Sequence, residues 1–289
     1  MNSFFTRTSL LEKCTPEKYG KWALVAGASE GIGRAFVEEL IKSRFSVLAI
    51  ARRSEPLESM RQDILNSGLT DAEIITFQAD LSDSLETELL STISQLQPGL
   101  VVFNAAASAL GEHAFQSLSS HLDILNTNCA GPLQLLDAVL PHMLLTGTGG
   151  IVLMSSLAGF QGSPGLATYA ASKAFNIVLA ESLALELAPR GVALLVSCAG
   201  ATNTPNYQAT QPNNLRFPGT MTPRSVAQQT LAALGRKNLL IPGLKNRISS
   251  FFMRRCIPRS MAVSLMLRGS LSTYPKLLHG IDKDDIEAH

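Results

Sequence analysis

The last third of this 289-residue chain is without acid: neither aspartate nor glutamate occurs between Glu186 and Asp282. The same stretch carries Arg190, Arg216, Arg224, Arg236, Lys237, Lys245, Arg247, Arg254, Arg255, Arg259, Arg268 and Lys276. Net charge over the whole chain is only +1, so there is no bulk signal for nucleic acid, and the local asymmetry suggests an anionic partner for the C-terminal third. Charge is sparse throughout, at 16%, against 46% hydrophobic residues. That balance excludes a disordered polar chain and is enough for a substantial core. Cysteine is also scarce. Cys14, Cys129, Cys198 and Cys256 show no CxxC spacing, which excludes a zinc signature or disulfide framework and leaves thiols suited to a reducing compartment. No metal ligand set is expected. No apolar run reaches the roughly 18 residues of a membrane span. The opening Met1-Asn2-Ser3-Phe4-Phe5 is not a signal peptide, so a cytoplasmic location is expected.

No repeat, low-complexity tract or flexible linker divides the chain. Apolar β-branched runs at Trp22–Ala26, Ser46–Ile50, Ile74–Gln78, Leu100–Phe103, Ile151–Met154 and Ala193–Ser197 read as strands. Helical periodicity starts near Gly31, Pro56, Ser84, Leu122 and Thr168. Such alternation predicts right-handed βαβ units: an α/β fold with a parallel sheet and helices on both faces. The expected organisation is a helical cap over 1–20, one α/β domain over 21–243, and a basic amphipathic extension over 244–289. Within the domain, residues 203–222 are rich in Thr, Pro, Asn and Gln, as a substrate-covering loop would be, and Thr222 with Pro223 should begin another helix.

Directly after the first strand, Gly27-Ala28-Ser29-Glu30-Gly31-Ile32-Gly33 runs into an amphipathic helix. A glycine-rich turn in that place lets backbone approach a pyrophosphate and aims the helix N-terminus at it. The second strand ends Ile50-Ala51-Arg52-Arg53, without the acid that would bind an adenosine ribose diol and repel a 2′-phosphate. Arg52 and Arg53 offer forked, charge-assisted donors to such a phosphate, which favours NADP(H); the competing reading is a solvated basic pair.

Tyr169-Ala170-Ala171-Ser172-Lys173 puts a phenol and an ammonium four residues apart, on one helix face. The ammonium is expected to lower the phenol's pKa and make it a usable proton donor and acceptor. Ser156 lies thirteen residues before Tyr169, after an apolar strand, where its hydroxyl would sit at the carboxyl edge of the sheet and polarise a substrate oxygen.

The spacing Gly27-x-x-x-Gly31-x-Gly33, with Ser156 preceding Tyr169-x-x-x-Lys173, resembles the short-chain dehydrogenase/reductase family, Rossmann-like and doubly wound. The resemblance runs from about Lys21 to Gly200. Departures are Ala26 where a threonine is common, Phe103 and Ala106 around Asn104-Ala105, and Ala199 in place of a proline. By this resemblance Ser156, Tyr169, Lys173 and Asn128 form the catalytic set. Ser156 is preferred over Ser155, and Asn128 holds a water that relays protons to Lys173. Gly27, Ser29, Gly31, Ile32, Gly33, Arg52, Arg53, Asp80, Leu81, Asn104, Ala105, Tyr169, Lys173 and Thr204 would hold NADP(H), with Asp80-Leu81 at the adenine and Thr204, ahead of Thr202, at a phosphate or the carboxamide. The implied activity is hydride transfer between nicotinamide and a carbonyl or alcohol. The helices from Leu122 and around Tyr169 imply a homodimer or homotetramer.

Leu244–Gly280 mixes Ile248, Phe251, Phe252, Met253, Met261, Val263, Leu265, Met266 and Leu267 with basic residues. Three readings stay open: a helical lid over the substrate, peripheral contact with an anionic membrane, or an anionic carrier or substrate. Its Met- and Leu-rich character favours a hydrophobic substrate, lipid-like, steroid-like or acyl, over a sugar. The alternative from another class is a non-catalytic NADP(H)-binding regulator. A serine hydrolase lacks its Gly-x-Ser-x-Gly elbow around Ser156, and no histidine has a recognisable partner motif.

Overall fold

The computed structural model describes residues 14–68, 72–210, 212, 220–274 and 277. Residues 1–13 of the expected cap, part of the 203–222 loop and the end of the extension lie outside them.

Seven strands form one sheet in the order β3-β2-β1-β4-β5-β6-β7. They are β1 (Trp22–Ala26), β2 (Ser46–Ala51), β3 (Ile74–Gln78), β4 (Leu100–Phe103), β5 (Gly149–Ser156), β6 (Val192–Ala199) and β7 (Leu239–Leu240). Every pairing is parallel. Among the described residues the helices are α1 (Pro16–Tyr19), α2 (Gly31–Lys42), α3 (Ser54–Asn66), α4 (Thr87–Leu96), α5 (Leu118–Leu125), α6 (Gly131–Thr146), α7 (Ala167–Leu187), α8 (Pro205–Ala209), α9 (Pro223–Ala233), α10 (Leu244–Arg255) and α11 (Arg259–Thr273).

Alternate residues of each central strand feed two cores, which is why the strands read as unbroken apolar runs. Ala23, Val25, Val47 and Ala49 pack with Phe36 and Leu40 of α2, Met60 of α3 and Val226 of α9. Leu24, Ala26, Leu48 and Ile50 pack on the opposite face with Leu89 of α4, Val139 of α6 and Ala180 of α7. Glu39 ties the first layer together, taking Arg224 Nε at 3.1 Å and Gln228 Nε2 at 3.0 Å.

The expected strands and helices are present, with shifted ends. β5 starts two residues before the apolar run, at Gly149, which pairs with Val192 of β6; the two glycines at its start carry no apolar side chain to mark them in the sequence. α4 starts at Thr87 rather than Ser84, since the Leu85 amide is taken by Gln134 Oε1 at 2.9 Å. α5 starts at Leu118, where the Ser117 hydroxyl accepts the Ser120 amide at 3.2 Å. Thr222 caps α9 as its sequence suggests, accepting the Ser225 amide at 3.2 Å. β7, at two residues, is too short to leave a periodic trace.

Candidate active site

The first core fixes α2 beneath the glycine turn. Gly27 has φ of 77°, and a Cβ on it would lie 2.6 Å from the Ala105 amide nitrogen. A Cβ on Gly33 would collide with the Gly27 carbonyl, so the turn and the helix close tightly on each other. Asn104 Nδ2 donates to that same carbonyl at 3.0 Å, tying the end of β4 to the turn.

A cavity of about 600 Å³ opens above, at the carboxyl edge of the sheet. Its wall brings together Gly27, Ser29, Gly31 and Ile32 of the turn, Arg52 and Arg53 after β2, Asp80 and Leu81 after β3, Asn104 and Ala105 after β4, and Thr204. Gly33 lies below the turn, and Tyr169 and Lys173 are not on this wall. The volume falls in the range of ligand sites, and a backbone cradle beside two guanidinium groups fits a dinucleotide. Thr204 Oγ1 already caps α8, accepting the Tyr207 amide at 3.1 Å, while its methyl stands 3.0 Å from where a Gly31 Cβ would be.

The wall carries carboxylates that the end of β2 gave no hint of. Arg53 Nη2 is 2.6 Å from Glu30 Oε1 of the glycine turn, and Arg52 Nη1 is 3.9 Å from Asp80 Oδ2. Both pairs are exposed enough to be worth little, and both can be redirected by a stronger anion. Burial acts to raise the Asp80 carboxyl, but hydrogen bonds from the Ser82 amide and hydroxyl, with Arg52 nearby, hold it below the usual range.

The Ser–Tyr–Lys set sits one loop away. Ser156 ends β5, Tyr169 and Lys173 share a face of α7, and the Ser156 hydroxyl, which accepts the Ala158 amide at 3.2 Å, is near enough to the Tyr169 phenol to favour its ionised form. Lys173 is buried; its Nζ donates to the Met154 carbonyl at 3.1 Å and lies 5.6 Å from the Tyr169 ring centroid. Burial pushes the Lys173 ammonium down to about 8, against an opposing pull from Cys129 and Cys198. Burial likewise raises the Tyr169 phenol, opposed only by the nearby Ser156 hydroxyl. The expected lowering of the phenol by Lys173 is therefore overturned. Desolvation outweighs an ammonium that is itself disfavoured and drawn toward a carbonyl. Ser155, the serine set aside, has its hydroxyl bound to the Lys173 carbonyl at 2.8 Å and so secures α7.

Asn128 lies in a π-helical turn, Asn126–Ala130, between α5 and α6. Its Oδ1 accepts the Ala107 amide at 2.8 Å, and its Nδ2 donates to the Ala107 carbonyl and the Ser172 hydroxyl, each at 2.9 Å. Ala107 is on the cavity wall, so this one side chain joins the cavity to α7. With the side chain committed, any relay through Asn128 would use its carbonyl, which already accepts Asn176 Nδ2 at 2.9 Å.

The chemistry-bearing loops, the parallel sheet and the matched stretch of sequence agree: residues 21–215 fit the family model for short chain dehydrogenase. The chain belongs to the short-chain dehydrogenase family. Among relatives, the 7beta-hydroxysteroid dehydrogenase of Clostridium sardiniense is 30% identical over 233 residues, 80% of this chain and 88% of that protein. The inactive hydroxysteroid dehydrogenase-like protein 1 of Homo sapiens is 32% identical over 180 residues, 61% of this chain and 54% of its own. A solved 7beta-hydroxysteroid dehydrogenase superposes with a TM-score of 0.80 at 25% identity, covering 88% of this chain and 99% of that one.

Three residues of this short-chain dehydrogenase's site escaped the sequence. Asn176, three positions beyond Lys173 and so on its face of α7, is buried; its Oδ1 finds no hydrogen-bond partner among the described residues. Its spacing from Lys173 was the available signal. Glu30 was in plain view within the glycine turn. His121, on α5, carried no signal: its Nδ1 lies 2.9 Å from the Thr168 hydroxyl, beside Tyr169, and its ring stacks on His113 with centroids 4.1 Å apart.

Proposed function

We propose that this short-chain dehydrogenase interconverts a ketone and a secondary alcohol on a hydrophobic, steroid-like substrate, using NADP(H). The observation that carries the reading is the placement of Ser156 at the end of β5 next to Tyr169 of α7, with buried Lys173 behind the phenol ring, one loop from the glycine-turn cavity. The nicotinamide, when bound, supplies or accepts the hydride. The residues do the rest: the glycine turn and Arg52 hold the dinucleotide, Ser156 holds the substrate oxygen, and Tyr169 gives or takes its proton. A phenol raised by burial stays protonated at neutral pH, which suits proton donation in the reductive direction. Lys173 sits behind the phenol to resupply the proton, and the unsatisfied Asn176 Oδ1 offers a relay water a buried acceptor beside the Asn128 carbonyl.

The C-terminal extension supports an apolar substrate. The loop from Ser156 to Tyr169 is covered by it: Val263 of α11 lies against Gly162, and Leu277 against Gly165. Arg254 stacks 4.0 Å from the Phe160 centroid, and the Tyr274 and Thr210 hydroxyls are 2.8 Å apart. Leu118, Leu122 and Leu125 of α5, with Val178 and Leu185 of α7, are exposed and favour pairing with a second copy.

The test is a fluorescence titration with NADPH and with NADH, followed by turnover of 7-keto and 7-hydroxy steroids. NADPH is expected to bind more tightly, and Arg52→Ala to weaken NADPH alone by about tenfold, roughly 1.4 kcal/mol. Equal loss for both cofactors would remove Arg52 from the 2′-phosphate. NADPH binding without turnover of any ketone would favour a non-catalytic regulator, the reading that the inactive human relative brings forward.

A further inference from the structure

α10 is amphipathic the wrong way round for a water-facing helix. Asn246 and Ser250 face the protein, each only 7% exposed, while Leu244, Ile248, Phe251 and Phe252 are 64%, 50%, 59% and 54% exposed. Surface helices of globular proteins do the opposite. On α11 the outward apolar residues are Met261 and Leu265. Around these side chains stand exposed Lys245, Arg247, Arg255, Arg259 and Arg268. No carboxylate belongs to either helix, nor to any residue between Glu186 and Asp282. Contiguous exposed apolar surface of this kind marks a site of attachment.

Its chemistry selects the occupant. A second copy presented face to face would bring two cationic rims together with no acid to separate them. A polyanion such as nucleic acid would match the cations but leave two phenylalanines in water. A leaflet of anionic lipid meets both needs: the headgroups take the arginines and lysine, and the acyl boundary takes Leu244, Ile248, Phe251 and Phe252. Arg255, in the middle of the apolar face of α10, has the long stem that lets a charge reach headgroups while its methylenes lie in the boundary. No helix among the described residues is long and apolar enough to cross a membrane, so contact is lateral. We propose that α10 and α11 dock this protein on an anionic membrane surface. Arg254, stacked on Phe160 four residues after Ser156, places that surface beside the loop leading to the Ser–Tyr pair.

The experiment is flotation of the full-length protein with vesicles of phosphatidylcholine containing phosphatidylserine, and with phosphatidylcholine alone, at low and high salt. Binding to the anionic vesicles is expected, with release by salt. The Phe251→Ser/Phe252→Ser variant should weaken it at least about tenfold, as should Arg247→Glu/Arg255→Glu. NADPH titration and circular dichroism establish that both variants are folded, and the wild-type dependence on lipid charge and salt stands even if one is not. Absence of binding to the anionic vesicles, or equal binding by folded variants, overturns the proposal. So does a change in lipid-free sedimentation of the phenylalanine variant, which would assign the face to a second copy. None of these outcomes depends on turnover, so they are separable from failure of the ketone reading.

Discussion

Helices α7 and α10 both turn polar side chains inward, and they do so to different ends. α7 buries Ser172, Lys173 and Asn176, and nearly every polar atom of that set has a named partner across the sheet edge or on the π-turn. Its inward charge lies behind the phenol to which proton transfer is assigned in the proposed reaction. α10 buries Asn246 and Ser250, of which Asn246 Nδ2 bonds the Pro242 carbonyl at 3.1 Å, one helical turn back. That bond secures the start of α10, and Asn246 packs against Gly200, where a Cβ would lie 2.8 Å from its Nδ2; what α10 offers is the face it leaves outside. The lesson is that polar burial by itself does not mark an active site. The number of different elements that converge on the buried group does.

The sharpest way to break this comparison is Tyr169→Phe. Turnover should fall by about 10³-fold or more with NADPH affinity unchanged, since only a proton donor is lost. Steady-state kinetics and a cofactor titration decide it, and retained activity would end the catalytic account of α7. Next is Lys173→Met. An amine held at about 8 instead of 10.5 makes the folded state less favourable by roughly 3 kcal/mol while the unfolded chain keeps its charge. The variant should therefore be inactive yet more stable at neutral pH. The sign follows from proton counting: below about pH 8 both states carry the proton and the full penalty applies. As pH rises from 8 toward 10.5 only the unfolded state keeps it, so the variant's advantage fades. Urea unfolding at two pH values measures this, and an advantage that grew with pH would refute it. On α10, Asn246→Ala should cost about 1–2 kcal/mol of stability with the chemical step intact. Smallest of all, Phe252→Ser should shift lipid-free stability by less than about 0.5 kcal/mol. A large drop would mean that the ring is packed against something in solution.

The sheet was legible because burial on both faces makes each strand a plain apolar run, and the site because its residues lie just after strand ends. Gly27 and Ser156 stand at such ends, Tyr169 lies in the first turn of the helix that follows β5, and the three could be read as one chemistry. What was not legible depended on pairing between distant segments. Nothing local in Arg53 says that Glu30, 23 residues earlier, will lie 2.6 Å from it. Nothing in Asn128 says that its amide will be spent on Ala107 and Ser172. The direction of the Tyr169 shift was misjudged for the same reason: sequence gives the neighbour at four residues but not the degree of burial that outweighs it. In the extension, the composition of α10 announced an amphipathic helix, but only the packing reveals that its polar side faces in.

One further feature bears on how the chain comes off the ribosome. Tyr19, in the short α1, is 2% exposed, and its seat is built from glycine positions far along the chain. A Cβ on Gly150 would lie 2.9 Å from its ring, and one on Gly235 would lie 3.1 Å from its hydroxyl. Domains tend to consolidate from the N-terminus during synthesis, but here the seat of Tyr19 is not complete until Gly235 has been made. The ring reaches its final packing only after more than two hundred further residues of translation, so its burial reports that the chain as far as Gly235 is in place.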